Sequence, residues 1–366
     1  MSERRFLARA DLQALIDALI RRQGRCLGPQ VRDGAIQYLP LSEAAQLPWG
    51  LGDEQAPGRY RLRRTEQGRC FAWANGPQAL KPLAFAPEQP LWSSRPAADG
   101  GLDYRAAPAE AEPLAVLGVR ACDLAGLALQ DRHFLGDPPD PWYRARREAL
   151  FLVAVDCSHP AATCFCASTG DGPACDSDFD LGLEELEDGF LVRAGSAAGE
   201  ALLDGLPTRE AAPAQLEAAR QQHREACAAQ RRALPAEDLP GRLLAALQHP
   251  RWDQVGARCL ACGNCTAVCP SCFCNRHEER PEVNGASAHV RLWDSCFSAG
   301  HSLLHGHPLR AGTAQRYRQW LTHKLGSWVA QYGRSGCVGC GRCITWCPVG
   351  IDLTEEVAAL LEEGDD

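Results

Sequence analysis

Apolar residues at Leu12, Leu15, Ile16, Leu19 and Ile20 recur at the spacing of one helical face, with Asp11 in the N-cap position. This predicts an amphipathic helix over residues 11–22. The pattern then turns extended. Asp33-Gly34 lies between two extended segments and predicts a hairpin turn. Residues 58–64 and 69–74 read as a further strand pair around Gln67-Gly68, and the Pro-, Ala- and Gly-rich stretch 86–113 reads as a surface loop. Leu114–Val119 and Phe151–Val155 are short unbroken apolar runs, as in buried strands, with helical patterning over 123–135 between them. Strand, helix, strand predicts a βαβ unit with a parallel pair. Both strands run into cysteines, Cys122 and Cys157, and strand carboxyl ends are where such sheets place their sites. A strand near Phe190–Val192 and helices over 208–233 and 235–248 follow. From Arg251 onward the pattern is helical and rich in cysteine, most clearly over Gln315–Tyr332.

The expected fold class is α+β. An N-terminal α+β region (1–110) and an α/β region with a Cys-rich loop (111–245) would precede a mainly helical ferredoxin-like domain (246–366).

Composition narrows the chemistry. The chain has 366 residues, 45% of them hydrophobic, and 19 cysteines. No apolar run reaches the ~18 residues of a membrane span. Met1-Ser2-Glu3-Arg4-Arg5 does not lead into the apolar core of a secretory signal, so a cytoplasmic protein is expected. Clustered cysteines in a long cytoplasmic chain point to metal rather than disulfides. The two lysines, Lys81 and Lys324, among 38 basic residues read as a bias of base composition. Residues 251–350 carry 11 basic against 5 acidic side chains, a net +6, whereas 1–250 and 351–366 each carry −7. A basic region can mark nucleic acid. It equally suits anionic clusters, each with a net charge of about −2.

Two motifs carry the strongest signal. Cys259, Cys262, Cys265 and Cys269-Pro270 form one Cys-x2-Cys-x2-Cys-x3-Cys-Pro run; Cys337, Cys340, Cys343 and Cys347-Pro348 form another. Two intervening residues let the chain coil around a cubane so that three thiolates reach three irons, while the fourth cysteine departs towards a second cluster. One 4Fe-4S cluster would take Cys259, Cys262, Cys265 and Cys347. The other would take Cys337, Cys340, Cys343 and Cys269. Structural zinc is the competing reading, but it favours Cys-x2-Cys pairs. The 67 residues between the runs favour a helical ferredoxin domain over a small β-type one.

Seven more cysteines are Cys122, Cys157, Cys164, Cys166, Cys272, Cys274 and Cys296. A third 4Fe-4S cluster on Cys122, Cys157, Cys164 and Cys166 is one reading; buried thiols packing as small apolar groups is the other. Cys26, Cys70, Cys175 and Cys227 are isolated and read as structural. His301, His305 and His307 lie close in sequence, a pattern more common for surface or packing histidines. His277-Glu278 lacks the second histidine of a zinc-protease helix. No dinucleotide fingerprint, Walker loop or haem attachment site occurs. Nor does a paired nickel–iron motif or a Cys-Cys-Gly element, so the chain reads as wiring without a catalytic centre of its own.

Several of these segments together resemble the β (electron-transfer) subunits of cytosolic sulfhydrogenases, soluble NAD(P)-linked nickel–iron hydrogenases, and the related iron–sulfur subunit of anaerobic sulfite reductase. The resemblance spans about residues 114–350 and rests on Gly118–Leu124, Asp131–Leu135, Thr163-Cys-Phe-Cys-Ala-Ser168, Cys259–Cys274, Trp293-Asp-Ser-Cys296, Arg316-Tyr-Arg318, His323-Lys324 and Cys337–Cys343. Thr169 departs from the methionine usual there. The resemblance implies a relay linking the catalytic subunit of a hydrogenase or sulfite reductase to a flavin/iron–sulfur NAD(P)H-oxidising subunit, with neither membrane nor nucleic acid as partner. It also implies a role for the thiols around Cys122–Cys166, and Arg310, Arg316, Arg318 and Lys324 as cations neutralising the clusters. A stand-alone iron–sulfur reductase and a nucleic-acid-binding iron–sulfur protein are the competing classes.

Overall fold

The computed structural model describes residues 4–78, 80–235 and 237–362. Met1–Glu3 and the last four residues of the acidic tail lie outside the described residues. In chain order, β1 (Arg5–Ala8) leads into α1 (Leu12–Gln23), which ends where Gly24 takes a left-handed φ of 75° and donates back to the Ile20 carbonyl. The hairpin β2 (Cys26–Arg32) and β3 (Ala35–Pro40) turns through Asp33 and Gly34, both at positive φ. β4 (Leu51–Ala56) and β5 (Arg59–Arg64) follow, then β6 (Glu88–Pro96) and β7 (Leu102–Ala106). β8 (Leu114–Val119), α2 (Ala121–Phe134) and β9 (Leu150–Val155) make the βαβ unit, with β8 and β9 parallel. β10 (Leu181–Glu185), β11 (Gly189–Ala194) and β12 (Thr208–Glu210) follow, and β13 (Asn275–Pro281) and β14 (Ser287–Trp293) form a late hairpin.

One eight-stranded sheet runs in the order β12-β1-β11-β10-β9-β8-β2-β3. Alternation along its central strands divides the core in two. Ala115, Leu117, Phe151, Val153 and Val155 face α1 and the helix Ala197–Leu203. Leu114, Val116, Leu152 and Ala154 face α2 and the helix Pro141–Glu148, whose Tyr143 is fully buried. The sequence boundary at residue 110 therefore falls between strands of one sheet. A third core contains Trp252, Val255, Phe297, Tyr317, Trp320 and Val357, and Leu239 and Leu243 from before residue 246 belong to it.

Three sequence expectations are corrected. Residues 69–74 form no strand; β5 pairs instead with β4 across Pro57-Gly58, and the N–H groups of Cys70 and Phe71 donate to the Glu185 carboxylate. The stretch 86–113 is not merely loop: β6 pairs with β7 and, almost two hundred residues on, with β14. The region 208–233 begins with β12, and its helix starts only at Pro213, which fits the first turn because it lacks the N–H that would go unpaired. No helix among the described residues is long and apolar enough to cross a membrane.

Candidate functional site: the thiol clusters

The two cysteine runs fold alike. The helix Arg251–Arg258 stops at Cys259; Ala261 and Gly263 take left-handed φ of 50° and 77°, and a helical turn covers Asn264–Ala267. In the second run Gly339 and Gly341 occupy the matching positions at φ 62° and 73°, before the turn Arg342–Thr345. Each left-handed residue reverses the chain, so three cysteines spaced two residues apart face inward. Cys259, Cys262, Cys265, Cys343 and Cys347 line one cavity, walled by Tyr317, Trp320 and Ile351.

The thiols of the two runs lie close enough to bear on one another's charge. Cys265 senses Cys259, Cys262 and Cys347 ahead of Cys269. Cys343 senses Cys340, Cys337 and Cys269 ahead of Cys265. The last cysteine of each run thus sits with the first three of the other. Backbone N–H groups donate to sulfur at Cys259 (from Ala261, 3.4 Å) and Cys347 (from Ile351, 3.3 Å). Such bonds favour the thiolate and raise a cluster's potential.

Burial pushes the Cys265 and Cys343 thiols well above their ordinary value and Cys337 up to about 12. Thiolates in such a place need a cation to hold them, which bound iron supplies. Among the described residues no three Cys, His, Asp or Glu side chains close on a single ion-sized point. Zinc needs its sulfurs about 2.3 Å from one centre; thiols ringing a cavity match the wider reach of a cluster. The residues therefore fit 4Fe-4S clusters, whose chemistry is one-electron storage and transfer.

Both lysines of the chain lie here. Lys324 is 5% exposed and its Nζ donates to Cys269 Sγ at 3.3 Å and Ser271 Oγ at 3.1 Å. Burial works to deprotonate it, but the thiolates of Cys269, Cys272 and Cys337 outweigh that and lift its pKa well above the ordinary value. Lys81 is 4% exposed, donates to the Thr266 carbonyl at 2.9 Å and stands 4.1 Å from the Trp293 ring centre. There burial wins, and its pKa is lowered. Arg316 and Arg318 donate to backbone carbonyls, including Phe297 and Leu247, and Arg310 donates to Ser302 and not to a thiol.

Cys122, Cys157, Cys164 and Cys166 meet on the other side of Cys340. Cys122 opens α2 just beyond β8, and Cys157 follows β9 by two residues. Cys164 senses Cys166, Cys157 and Cys340; Cys122 senses Cys340 and Cys166. Cys157 is the outermost, with Arg120 the nearest strong influence after burial. The loop bearing Cys164 and Cys166 interlocks with the second run: Phe165 N–H donates to the Gly339 carbonyl at 2.8 Å. A Cβ on Gly339 would stand 2.5 Å from Cys166 N. Asn75 Nδ2 donates to the Cys340 carbonyl at 2.9 Å, and Arg342 pairs with Asp123 at 2.8 Å, both nearly sealed from solvent. Sequence reasoning missed Asn75 and Lys81, whose chain neighbours say nothing of the thiols they meet, and the pairing of Asp123 with Arg342, whose segments lie over two hundred residues apart.

Cys272 and Cys274 follow the first run, and Cys296 follows β14. The Cys272 thiol lies against Cys269, and the Cys296 thiol lies against Cys274. Cys269 is held well below its ordinary value by the Cys272 thiol and by Lys324, and Cys274 is held down to about 4 by Cys296 and His301. Of the isolated cysteines, Cys26, Cys70 and Cys175 are buried, and burial pushes Cys26 up to about 12.

The architecture and the donor set define an iron–sulfur electron-transfer subunit of the 4Fe-4S type. A family model described as "4Fe-4S dicluster domain" matches residues 258–351. The chain is 34% identical over 245 residues to sulfhydrogenase 2 subunit beta of Pyrococcus furiosus, covering 65% of this chain and 71% of that protein. It belongs to the sulfhydrogenase β-subunit family. No solved structure matches it.

Proposed function

We propose that this chain is the cytoplasmic electron relay that connects a flavin/iron–sulfur NAD(P)H-oxidising subunit with the catalytic subunit of a hydrogenase or sulfhydrogenase. The observation that carries the reading is the row of thiol sets, Cys259/Cys262/Cys265/Cys347, then Cys337/Cys340/Cys343/Cys269, then Cys122/Cys157/Cys164/Cys166: Cys343 lines the cavity of the first set, and Cys164 Sγ lies 3.8 Å from the Cys340 carbonyl. The first two sets hold two 4Fe-4S clusters in the region 246–366, and the third set holds another against the carboxyl end of the sheet. The chain's own residues bury these sites, aim N–H donors at sulfur, and place Lys324 where negative charge accumulates.

Purification of the tagged chain with its native partners under anaerobic conditions tests this. Nickel–iron and flavin subunits are expected to copurify, and the iron–sulfur signals should be reduced on adding NAD(P)H or hydrogen only when partners are present. A sirohaem subunit in their place would move the reading to a sulfite reductase. Turnover of NAD(P)H, hydrogen or sulfite by the isolated chain would overturn it in favour of a stand-alone reductase. About twelve irons per chain is the expected number for three clusters if no further site is filled.

A further inference from the structure

Three cysteines remain outside those sets, and the fold draws them together. Cys272 and Cys274 lie just before β13, and Cys296 lies just after β14. The hairpin pairs Asn275 with Trp293, and the Asp294 N–H donates to the Cys274 carbonyl at 2.9 Å. The two strand ends therefore deliver Cys274 and Cys296 side by side, packed in one cluster. His301 follows Cys296 by five residues and lies close enough to Cys274 for each to bear on the other's charge. Beside them lies a cavity of about 270 Å³, lined by Cys272, Cys274, Trp293 and Lys81. A buried cation on the wall of a thiol-lined cavity suits an occupant of net negative charge.

The geometry points to a further iron–sulfur cluster held by Cys272, Cys274, Cys296 and His301. Three thiolates and one imidazole give four donors, enough for one per iron of a cubane; imidazole replaces thiolate on iron elsewhere in cluster chemistry, where it raises the potential. A single zinc ion would also accept a Cys3His set. The cavity and its lysine favour the larger, more anionic group. The site lies between the two cysteine runs: Cys296 senses Cys265 of one cluster set, and Cys272 touches Cys269 of the other. The assignment does not depend on which subunits the chain serves.

The test uses the full chain purified anaerobically with its partners, comparing wild type with Cys274→Ser/Cys296→Ser and Cys164→Ser/Cys166→Ser. The first double variant should lose about four irons and four acid-labile sulfides per chain. The second variant should leave the nitrogen-coupled signal described next untouched. Unchanged iron in the first variant would overturn the site, and so would loss of one zinc with iron unchanged. Pulsed EPR on the reduced wild type should show one cluster coupled to a directly bound nitrogen, and His301→Cys should abolish that coupling while keeping the iron. If Cys274→Ser/Cys296→Ser does not fold, this measurement decides: absence of nitrogen coupling in wild type overturns the ligand set.

Discussion

Lys324→Met offers the sharpest probe of how the chain sets a cluster's energy. The side chain is 5% exposed and its Nζ lies 3.3 Å from Cys269 Sγ. Met has similar length and no charge, so it fills the same space. The centre of a cluster bound through Cys269 lies ~6 Å from Nζ, given metal–sulfur bonds of ~2.3 Å. One unit charge at that distance, at an effective dielectric of ~20, interacts with one added electron by about 3 kcal/mol. For a one-electron couple that is on the order of 100 mV. Removing the cation should therefore lower the potential of the cluster that uses Cys269 by about that much and leave the cluster at Cys259 nearly unmoved. Its pKa is lifted well above the ordinary value, so the charge is present at all working pH. An EPR-monitored redox titration of wild type, Lys324→Met and Lys324→Arg checks this, with Arg expected near wild type. A shift below ~20 mV, or one towards positive potential, would show that Lys324 is not the local field assigned to it.

The buried Arg342–Asp123 pair joins α2 to the second cysteine run. Asp123→Asn should cost about 3–5 kcal/mol because Arg342 is left charged and unpaired, and Arg342→Met/Asp123→Leu should cost less than either single change, read from denaturant midpoints. Gly339→Ala places a methyl 2.5 Å from Cys166 N at φ 62°. It should separate the interlocked loops and lower the iron retained after desalting, whereas Gly300→Ala, with open space around it, should not. Burial holds His159 and His323 below the ordinary imidazole value. On acidification the unfolded chain takes up those protons first, so their contribution is full above about pH 6.5 and falls as pH drops below it. Thermal midpoints at two pH values, in wild type and His323→Gln, measure that slope; a midpoint that rises on acidification contradicts it.

Local signals were legible where the partner was local. The α1 face, the Asp33-Gly34 turn and the apolar runs of β8 and β9 each contain their own cause. The two cysteine runs also state their spacing outright. β6 was not legible because what makes it a strand is β14, far along the chain, while its own Pro and Ser content reads as loop. The β4–β5 hairpin did have a signal, Pro57-Gly58, which outranks Gln67-Gly68 as a turn. Lys81 was the subtler miss, and Lys324 was singled out only through the family resemblance. In a chain that uses arginine nearly everywhere, both lysines sit buried beside thiols, where a compact point charge fits and a planar guanidinium does not. The acidic 351–366 segment was read only as charge, yet Glu356 is buried and pairs with Arg251 and Arg258 at the edge of the first run.

The pairing of β6 with β14 bears on how such a molecule is made. Lys81 anchors on Thr266, and Gln55 accepts from Thr345 at 2.8 Å, so residues from the first quarter of the chain close the cage around the last. During synthesis the second cysteine run emerges long after β6 has left the ribosome without its partner. A site that takes ligands from both cysteine runs is complete only once the second run has emerged, so iron and sulfide for it must await an almost finished polypeptide. A chain cut short before residue 287 keeps an open strand edge and an incomplete set of ligands, two marks by which a protease can tell an abandoned product from one awaiting its metal.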